Sequence, residues 1–463
     1  MRYKKRDADA EYKKNSWAYF FLPTLALANV SEFELDNGLK LIVKEDHRAP
    51  VVVSQVWYKV GASYEHEGIT GISHMLEHMM FKGTKHLAPN EFSHIIAENG
   101  GEQNAFTGQD YTAYFQKLHK DRLEVSFKNE ADRMRNLVID PDELKKEQKV
   151  VAEERRMRTD DNPQALLRER FDAAAFVSSP YHRPVIGWMS DINHYQVDDL
   201  RVWYQKWYAP NNATVVVVGD VSPKAVLALA KKYFGPLKPE KVATLKPQVE
   251  VNQKGIREIE VKAPAELPYL MMGWKVPSVT TVSKENAWEP YALEVLANIL
   301  DGGNSARFAK QLVREQQVAS SVGAGNSLFS RLSDLFTIAG TPANGKSVED
   351  LKKAIIEQIT QLKNQPVSQE ELERVKAQVV ADAVYEKDSV FYQAMQIGML
   401  ETIGVDWRVG EQYVDNIKAV TAEQVQTVAN KYLTNDQLTV GELVPLPLDG
   451  RHPVSSAGGQ YVH

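Results

Sequence analysis

The sequence predicts an α+β fold made of two tandem copies of one domain. The chain has 463 residues, which is more than one compact core usually holds, so at least two domains are expected. Strand-like runs and helical patterns are mixed along the first half, and related segments return in the second half. Asp-Glu-Leu at 142–144 with Val-Val-Ala at 150–152 is similar to Glu-Glu-Leu at 370–372 with Val-Val-Ala at 379–381. These observations indicate the duplication of one domain.

The composition of the chain predicts where the domains begin and end. Residues 236–253 contain several prolines among lysines, which is typical of a linker. This segment separates a first domain, 29–235, from a second domain, 254–447. Residues 448–463 end in a Gly- and Ser-rich stretch and are predicted to form a flexible tail.

Residues 1–28 allow two interpretations. A start rich in Lys and Arg is followed by an apolar run that ends in Ala26-Leu27-Ala28, a pattern typical of a secretory signal and its cleavage site. Pro23 and the shortness of the run exclude a membrane-spanning helix. The alternative is an amphipathic N-terminal arm. We favour export to a bacterial periplasm and keep a cytoplasmic location as the alternative.

The first domain is predicted to begin with strands. Residues 30–35 alternate in polarity, and Asp36-Asn37-Gly38 is a hairpin turn signal before a returning strand at 39–43. A further β-rich run at 50–60 precedes a helix at 71–83. The remaining patterns predict helices over 90–99, 124–136, 141–159, 166–175, 199–208 and 223–234, and strands over 103–107, 110–115 and 214–218.

The helix at 71–83 contains the motif H-x-x-E-H, formed by His74, Glu77 and His78. At about 100° per residue, positions i, i+3 and i+4 lie on one face of a helix. Two imidazoles one turn apart can therefore bind one metal ion, and the carboxylate points at the same site. Zinc is expected, because it binds His nitrogen and carboxylate oxygen and keeps a position open for water in catalytic sites. The order is inverted relative to H-E-x-x-H.

A solvated helix face is the alternative explanation for this motif. Its neighbours are apolar, however, which indicates that the helix is substantially buried: Met75, Leu76, Met79, Met80 and Phe81. Burying two histidines and a carboxylate is costly unless a partner satisfies them, and a metal ion does so. The chain has no cysteine, so a metal must be held by His, Asp or Glu. The formal net charge of −6 is mild, and no basic stripe indicates a nucleic acid partner.

Spacing alone does not identify a third metal ligand. A catalytic zinc takes three protein ligands plus water, and the helix at 141–159 offers Glu147 and Glu154 two turns apart on nearly one face. A helix rich in Glu, Lys and Arg is, on the other hand, usually a solvated surface. In the second copy no H-x-x-E-H occurs, and Asp382 falls where Glu154 would be.

Three motifs together resemble those of the M16 metallopeptidases, the relatives of pitrilysin, insulysin and mitochondrial processing peptidase. They are H-M-L-E-H-M-M-F-K-G-T at 74–84, N-A-F-T at 104–107, and E-x6-E from Glu147 to Glu154. The resemblance extends from about Val30 to about Pro447 and matches the M16B subfamily in length. It implies that each domain is a mostly antiparallel sheet packed with helices, and that the domain pair forms half of a clamshell around a closed chamber.

The resemblance also implies roles for individual residues. His74, His78 and Glu154 would bind one zinc ion per chain. Glu77 would be the general base that activates zinc-bound water, and Glu147 a further carboxylate that supports the ligand set.

The same resemblance implies a place for the substrate. The segment Asn104, Ala105, Phe106 and Thr107 would be a sheet edge that pairs with the substrate peptide as an added strand, held by main-chain hydrogen bonds. Phe106 is equally a candidate core residue.

One departure from the family pattern concerns the second domain. Many relatives supply an Arg and a Tyr there, in a segment like R-E-x-x-G-L-A-Y-S, to bind the substrate carbonyl and oxyanion. Here Arg314 remains, but Ser320 or Ser321 stands where the tyrosine should be. A homologous partner subunit that supplies the Arg/Tyr pair, giving a heterodimer, is therefore expected. The alternative is that Tyr385 or Tyr392 substitutes within this chain.

Three functions follow from these residues. The first is a zinc endopeptidase acting on peptides or unfolded segments. The second is a non-catalytic scaffold or assembly subunit, which the retained motif disfavours. The third is a presequence-processing peptidase, for which Asp160 and Asp161 after Glu154 are weak support, since Arg168 and Arg170 follow.

Overall fold

Two β-sheets, one in each half of the chain, form the frame of the protein. The computed structural model describes residues 30–242 and 244–448. The predicted export signal or arm at 1–28 and the predicted tail from 449 onwards lie outside the described residues. Among the helices that are described, none is both long and apolar enough to cross a membrane.

The first sheet has six strands in the order β1-β2-β6-β3-β5-β4. All neighbours are antiparallel except β2 and β6, which run parallel. The strands are β1 (Val30–Glu34), β2 (Lys40–Glu45), β3 (Val51–Tyr58), β4 (Glu102–Thr107), β5 (Thr112–His119) and β6 (Ala213–Gly219). The order leaves β4 at one edge of the sheet.

The second sheet has five strands in the order β7-β11-β8-β10-β9. Its strands are β7 (Arg257–Pro264), β8 (Tyr269–Val276), β9 (Ala319–Asn326), β10 (Asp334–Pro342) and β11 (Leu438–Leu446). β7 is parallel to β11 and every other pair is antiparallel. Leaving β1 aside, the order and the directions match those of the first sheet. This match confirms the predicted tandem α+β architecture with mostly antiparallel sheets.

Helices cover both sheets. Those of the first half are α1 (Ile72–Met79), α2 (Glu91–Glu98), α3 (Leu123–Asn136), α4 (Pro141–Arg155), α5 (Pro163–Ala175), α6 (Met189–Ile192), α7 (Val197–Trp207) and α8 (Pro223–Tyr233). Those of the second half are α9 (Glu289–Asp301), α10 (Val348–Asn364), α11 (Gln369–Glu386), α12 (Val390–Thr402), α13 (Arg408–Glu411), α14 (Tyr413–Ala419) and α15 (Ala422–Tyr432). Two π-helical segments, Arg156–Asp160 and Phe308–Glu315, lie in the first and the second half respectively.

The predicted elements are confirmed, with bounds that differ by up to four residues: the helix predicted over 71–83, for example, ends at Met79, and the one predicted over 166–175 begins at Pro163. The helix predicted over 141–159 is α-helical only to Arg155 and continues as the π-helical segment Arg156–Asp160. The strand predicted over 110–115 begins at Thr112 and extends to His119, because it pairs with all of β3. Asp110 lies in the turn before this strand, which the hydrogen bond from the N–H of Gly108 to the carbonyl of Tyr111 closes, and its carboxylate accepts hydrogen bonds from Ser63 and from Arg331 of the second half.

Each half contributes one helix to the sheet of the other half. In the first half, α5 packs Leu167 and Phe171 against Met271 and Leu443 of the second sheet. In the second half, α12 packs Ala394 and Ile397 against the first sheet, where Trp57 is fully buried. The two halves are therefore joined by reciprocal hydrophobic contacts and not by the 236–253 segment alone. The domain boundaries drawn from composition stay a prediction.

Glycines make these close contacts possible. A Cβ atom on Gly398 of α12 would lie 2.1 Å from the indole Nε1 of Trp57. Cβ atoms on Gly273 and Gly441 would each lie 2.9 Å from the ring of Phe171 in α5. The absence of these side chains lets both exchanged helices approach the sheets, so the glycines are a requirement of packing.

Gly398→Ala is expected to destabilise the protein by about 1–3 kcal/mol, because the added methyl overpacks a rigid buried indole. On an exposed helix the same change is stabilising by up to about 1 kcal/mol. Urea unfolding of Gly398→Ala, Trp57→Phe and the double variant measures the effect. The free energy of unfolding should fall by less in the double variant than the sum of its decreases in the two single variants. An unchanged or increased stability of Gly398→Ala would contradict the contact.

Candidate metal centre

The start of α1 is fixed by a carboxylate that lies outside the helix. Its N-cap residue, Gly71, has φ +82° and provides no side-chain cap. Glu65 replaces that cap, since its carboxylate accepts hydrogen bonds from the backbone N–H of Gly71 at 2.6 Å and of Ser73 at 2.8 Å. Glu65 therefore satisfies helix N–H groups that otherwise have no partner. Sequence reasoning missed Glu65, because it lies six residues before the position where a local cap is sought.

α1 and α4 bring three candidate ligands together. One donor atom from each of His74, His78 and Glu154 lies within 4.8 Å of the other two. Glu154 Oε2 is 3.8 Å from His74 Nε2 and 3.4 Å from His78 Nε2. All three residues are buried. Two imidazole nitrogens and one carboxylate oxygen are a donor set that suits catalytic zinc, and no other such group occurs in the described part of the chain.

Glu147 holds the second histidine in place. Its Oε2 lies 3.1 Å from His78 Nδ1, while its Oε1 lies 2.9 Å from Lys82 Nζ. With Nδ1 directed at Glu147, the Nε2 of His78 is directed at Glu154. A ligand imidazole commonly has its second nitrogen fixed by a carboxylate in this way. Lys82 was not selected from the sequence, although it belongs to the quoted motif at 74–84.

Glu77 lies between the histidines and the sheet edge. It is buried, and its Oε2 accepts a hydrogen bond from Thr107 Oγ1 at 2.5 Å. Burial raises the pKa of Glu77 to about 7, against the opposing effects of Thr107 and His78. A carboxyl group with a pKa in this range can both accept and return a proton near neutral pH.

The predicted substrate segment coincides with the edge strand β4. Thr107 contacts Glu77, and Ala105 is buried in the same core as α1. The ring of Phe106 faces the opposite side of the sheet, where it packs edge-on against Trp57 with centroids 5.3 Å apart. Phe106 therefore packs in the hydrophobic core that α12 covers. Asn104 lies two residues before it on β4.

The ion pairs of the site set the charges of its members. Burial lowers the pKa of His78, but Glu147 and Glu154 outweigh it and raise the pKa to about 9. Burial raises the pKa of Glu154, but His78, His74 and Arg158 outweigh it and lower the pKa to about 2. Burial also opposes ionisation of Glu147, whose pKa is lowered by His78 and Lys82. Both carboxylates are therefore ionised at neutral pH.

The residues considered for carbonyl binding occupy the second half. Arg314 lies in the π-helical segment Phe308–Glu315, and Ser320 donates a hydrogen bond to the carbonyl of Thr341 within the second sheet. Tyr385 is exposed at the end of α11, and Tyr392 hydrogen-bonds Glu386. Among the contacts of the described residues, none joins these side chains to the metal-binding group.

Comparison with known proteins identifies the family. Residues 40–188 match the model of the insulinase family, peptidase family M16, and residues 194–379 match the model of the peptidase M16 inactive domain. The zinc protease PqqE of Helicobacter pylori is 36% identical over 359 residues, which are 77% of this chain and 79% of PqqE. The chain belongs to the M16 peptidase family. An uncharacterized zinc protease of Bacillus subtilis, YmxG, is 26% identical over 88% of this chain and 96% of its own.

Solved structures agree with the fold of this M16 chain. The crystal structure of a protease from Helicobacter pylori has a TM-score of 0.85 at 32% identity, covering 90% of this chain and 100% of that one. The periplasmic protease PqqL from Escherichia coli has a TM-score of 0.76 at 19% identity, so it supports the fold alone. This M16 chain spans 48% of the PqqL chain.

The role of Glu65 predicts a dependence of stability on pH. Burial raises the pKa of Glu65 to about 7, although the N–H groups of Ser73 and Gly71 oppose the shift. Because the folded pKa exceeds the ordinary value of 4.5, the folded protein binds this proton more tightly than the unfolded chain. This proton therefore adds to the free energy of unfolding. Its contribution is fully present below about pH 4.5 and is lost as the pH rises to about 7.

We therefore expect the free energy of unfolding to fall by up to about 1.4 kcal/mol per pH unit across this window, relative to Glu65→Gln. Urea denaturation of both proteins at pH 5, 6 and 7 measures the difference. A chelator is included, since zinc binding itself depends on pH. Parallel stability profiles for the two proteins would show that Glu65 does not titrate in this range.

Proposed function

We propose that this M16 chain is a zinc-dependent endopeptidase that hydrolyses peptides or unfolded polypeptide segments. The observation that supports this function best is the buried convergence of His74, His78 and Glu154 next to Glu77. Zinc would be held by the first three residues, one ion per chain. The names of the relatives, zinc proteases in several bacteria, support the same metal and reaction class.

In the proposed reaction, Glu77 moves the proton. Bound zinc would polarise the scissile carbonyl and lower the pKa of a water molecule. Glu77 accepts a proton from the attacking water and returns it to the nitrogen of the leaving amine. The hydrogen bond from Thr107 holds Glu77 Oε2, so Glu77 Oε1 is the oxygen available for this transfer. Glu147 keeps the imidazole of His78 oriented.

The substrate is proposed to bind along β4. β4 is an edge strand of the first sheet, and its segment 104–107 leads directly to the hydroxyl that contacts Glu77. A peptide added to this edge would be held by backbone hydrogen bonds, which give little sequence preference. Because such pairing needs an extended chain, unfolded segments are the proposed substrates.

A homologous partner is proposed to complete the site. The Arg and Tyr expected by family resemblance are not joined to the metal-binding group here, and Ser320 is engaged within its own sheet. The chain also spans about half of PqqL, which supports a clamshell assembled from two such units around a chamber. We propose a heterodimer located in the periplasm, because PqqL of Escherichia coli is a periplasmic protease.

The alternatives receive less support. A scaffold role does not require His74, Glu77, His78 and Glu154 to converge in a buried site, as they do here. For a presequence peptidase, Asp160 would have to bind basic side chains of the substrate. Asp160 Oδ1 already lies 3.4 Å from Arg155 Nη2. The proposed general endopeptidase is therefore preferred.

Replacing Glu77 by Gln is expected to lower peptide hydrolysis about 10²–10⁴-fold, because the amide cannot accept the proton. Zinc stoichiometry should remain that of the wild type, since Glu77 is not among the proposed ligands. Hydrolysis of a mixed unstructured peptide and metal analysis by atomic emission measure the two effects.

The matched control for this variant is Glu153→Gln, which makes the same change at an exposed residue of α4, the helix that carries Glu154. It should leave both zinc content and hydrolysis unchanged. Activity in Glu77→Gln equal to that of the control would refute Glu77 as the base.

The partner proposal predicts that the zinc-loaded chain alone hydrolyses peptides slowly. A missing oxyanion donor typically costs about 10²–10³ in rate, so a homologous subunit carrying the Arg/Tyr pair should restore a factor of this size. Peptide hydrolysis by the chain alone and after co-expression with such a subunit tests this. Rapid hydrolysis by the chain alone that Glu77→Gln abolishes would mean that no partner is needed.

A further inference from the structure

Arg158 contacts the proposed third ligand from outside the ligand set. Its guanidinium Nη1 lies 2.5 Å from Glu154 Oε1, in an ion pair spaced i, i+4. The side chain of Glu154 is 8% exposed, whereas that of Arg158 is 48% exposed. The ion pair therefore links a buried carboxylate to a cation that is exposed to solvent.

The two oxygens of Glu154 face different neighbours. Oε2 points at the Nε2 atoms of His74 and His78, at 3.8 Å and 3.4 Å. Oε1 points at Arg158. A carboxylate in this position has one oxygen directed at the metal-binding group and the other neutralised by a guanidinium. Oε2 is thus the oxygen that faces the two imidazoles, while Oε1 faces the guanidinium.

The neighbouring arginines are assigned to other partners. Arg155 is buried, and its Nη1 and Nη2 donate hydrogen bonds to the carboxylate of Glu169 at 2.7 Å and 2.9 Å. Arg156 pairs with Glu153 on the surface. Arg158 is the one that turns back to Glu154, from within the π-helical segment Arg156–Asp160. Such π-helical segments are rare and frequently occur at functional sites.

The number of oxygens that Glu154 provides matters for the chemistry. A catalytic zinc site has three protein ligands and keeps a further position open for water. A carboxylate that binds through both oxygens would use that position. Groups that orient a ligand from outside the coordination sphere commonly change metal affinity 10–100-fold when they are removed.

We propose that Arg158 is a positioning residue that restricts Glu154 to binding zinc through Oε2 alone, by holding Oε1 in an ion pair. The inference deepens the proposed function, because it assumes the same metal site. It adds a residue that composition, spacing and family resemblance did not select.

The test compares Arg158→Met, Arg158→Lys and Arg156→Met in the full-length chain. Arg156→Met is the matched control, because it removes an exposed arginine two residues away on the same segment. The first readout is zinc affinity by competition with a chromophoric chelator. We expect 10–100-fold weaker binding in Arg158→Met, partial recovery in Arg158→Lys, and wild-type affinity in Arg156→Met.

The second readout is the visible absorption spectrum of the Co²⁺-substituted proteins, which reports coordination number. Arg158→Met should shift the spectrum towards higher coordination, and the control should not. Wild-type zinc affinity in Arg158→Met, or equal weakening in Arg156→Met, would overturn the proposal. Normal zinc binding without any peptide hydrolysis in the wild type would count against the proposed function, while the comparison of affinities would still decide the role of Arg158.

Discussion

The burial of charge between α1 and α4 is the constraint on which the site depends. Three carboxylates, of Glu77, Glu147 and Glu154, and two imidazoles are almost inaccessible to water there. Taking such groups out of water costs several kcal/mol per ion unless opposite charge and hydrogen bonds replace the solvent. Lys82 and Arg158 supply part of that opposite charge, and a divalent cation among the ligands would supply the rest. The donor set therefore suits a metal ion, and without one Glu147 and Glu154 raise the pKa of His78 to about 9.

The second half of the chain holds the edge strand next to the metal-binding group. Asp110, in the turn between β4 and β5, is buried and accepts hydrogen bonds from Arg331 Nε at 2.9 Å and from Tyr181. Arg331 belongs to the turn between β9 and β10 of the second sheet and also lies over the ring of Tyr64. Since Thr107 ends β4 three residues before Asp110, the orientation of Glu77 depends on contacts between the two halves. The geometry around Glu77 is thus linked to the packing of the two halves against each other.

Much of this arrangement could be predicted from sequence because it is local or repeated. The hairpin at Gly38, the spacing of His74 and His78 on α1, and the duplication of one domain are encoded in short patterns. Glu154 could be selected only through family resemblance, because its helix resembles a solvated surface in composition. Glu65, Lys82 and Arg158 were missed because each acts through contacts that depend on tertiary packing or rotamer choice. The i, i+4 spacing of Glu154 and Arg158 is visible in the sequence, but it does not show that Glu154 is buried.

The packing of α5 on the second sheet and of α12 on the first sheet was also not predictable. Because of it, neither copy of the duplicated domain buries its sheet with its own helices alone. A pattern of apolar residues shows that a helix has a buried face, but not which sheet covers it. The two family models meet between residues 188 and 194, after α5 and before β6, so the sequence families do not divide the chain where the sheets do.

The position of the second half that corresponds to Glu154 lies on the surface. Asp382 occupies it, is exposed, and accepts a hydrogen bond from Gln378. What the second copy retained is the sheet and the helix that covers the first sheet. It contacts the first sheet through α12, which covers the face at Trp57, and through Arg331, which binds Asp110 in the turn that follows β4.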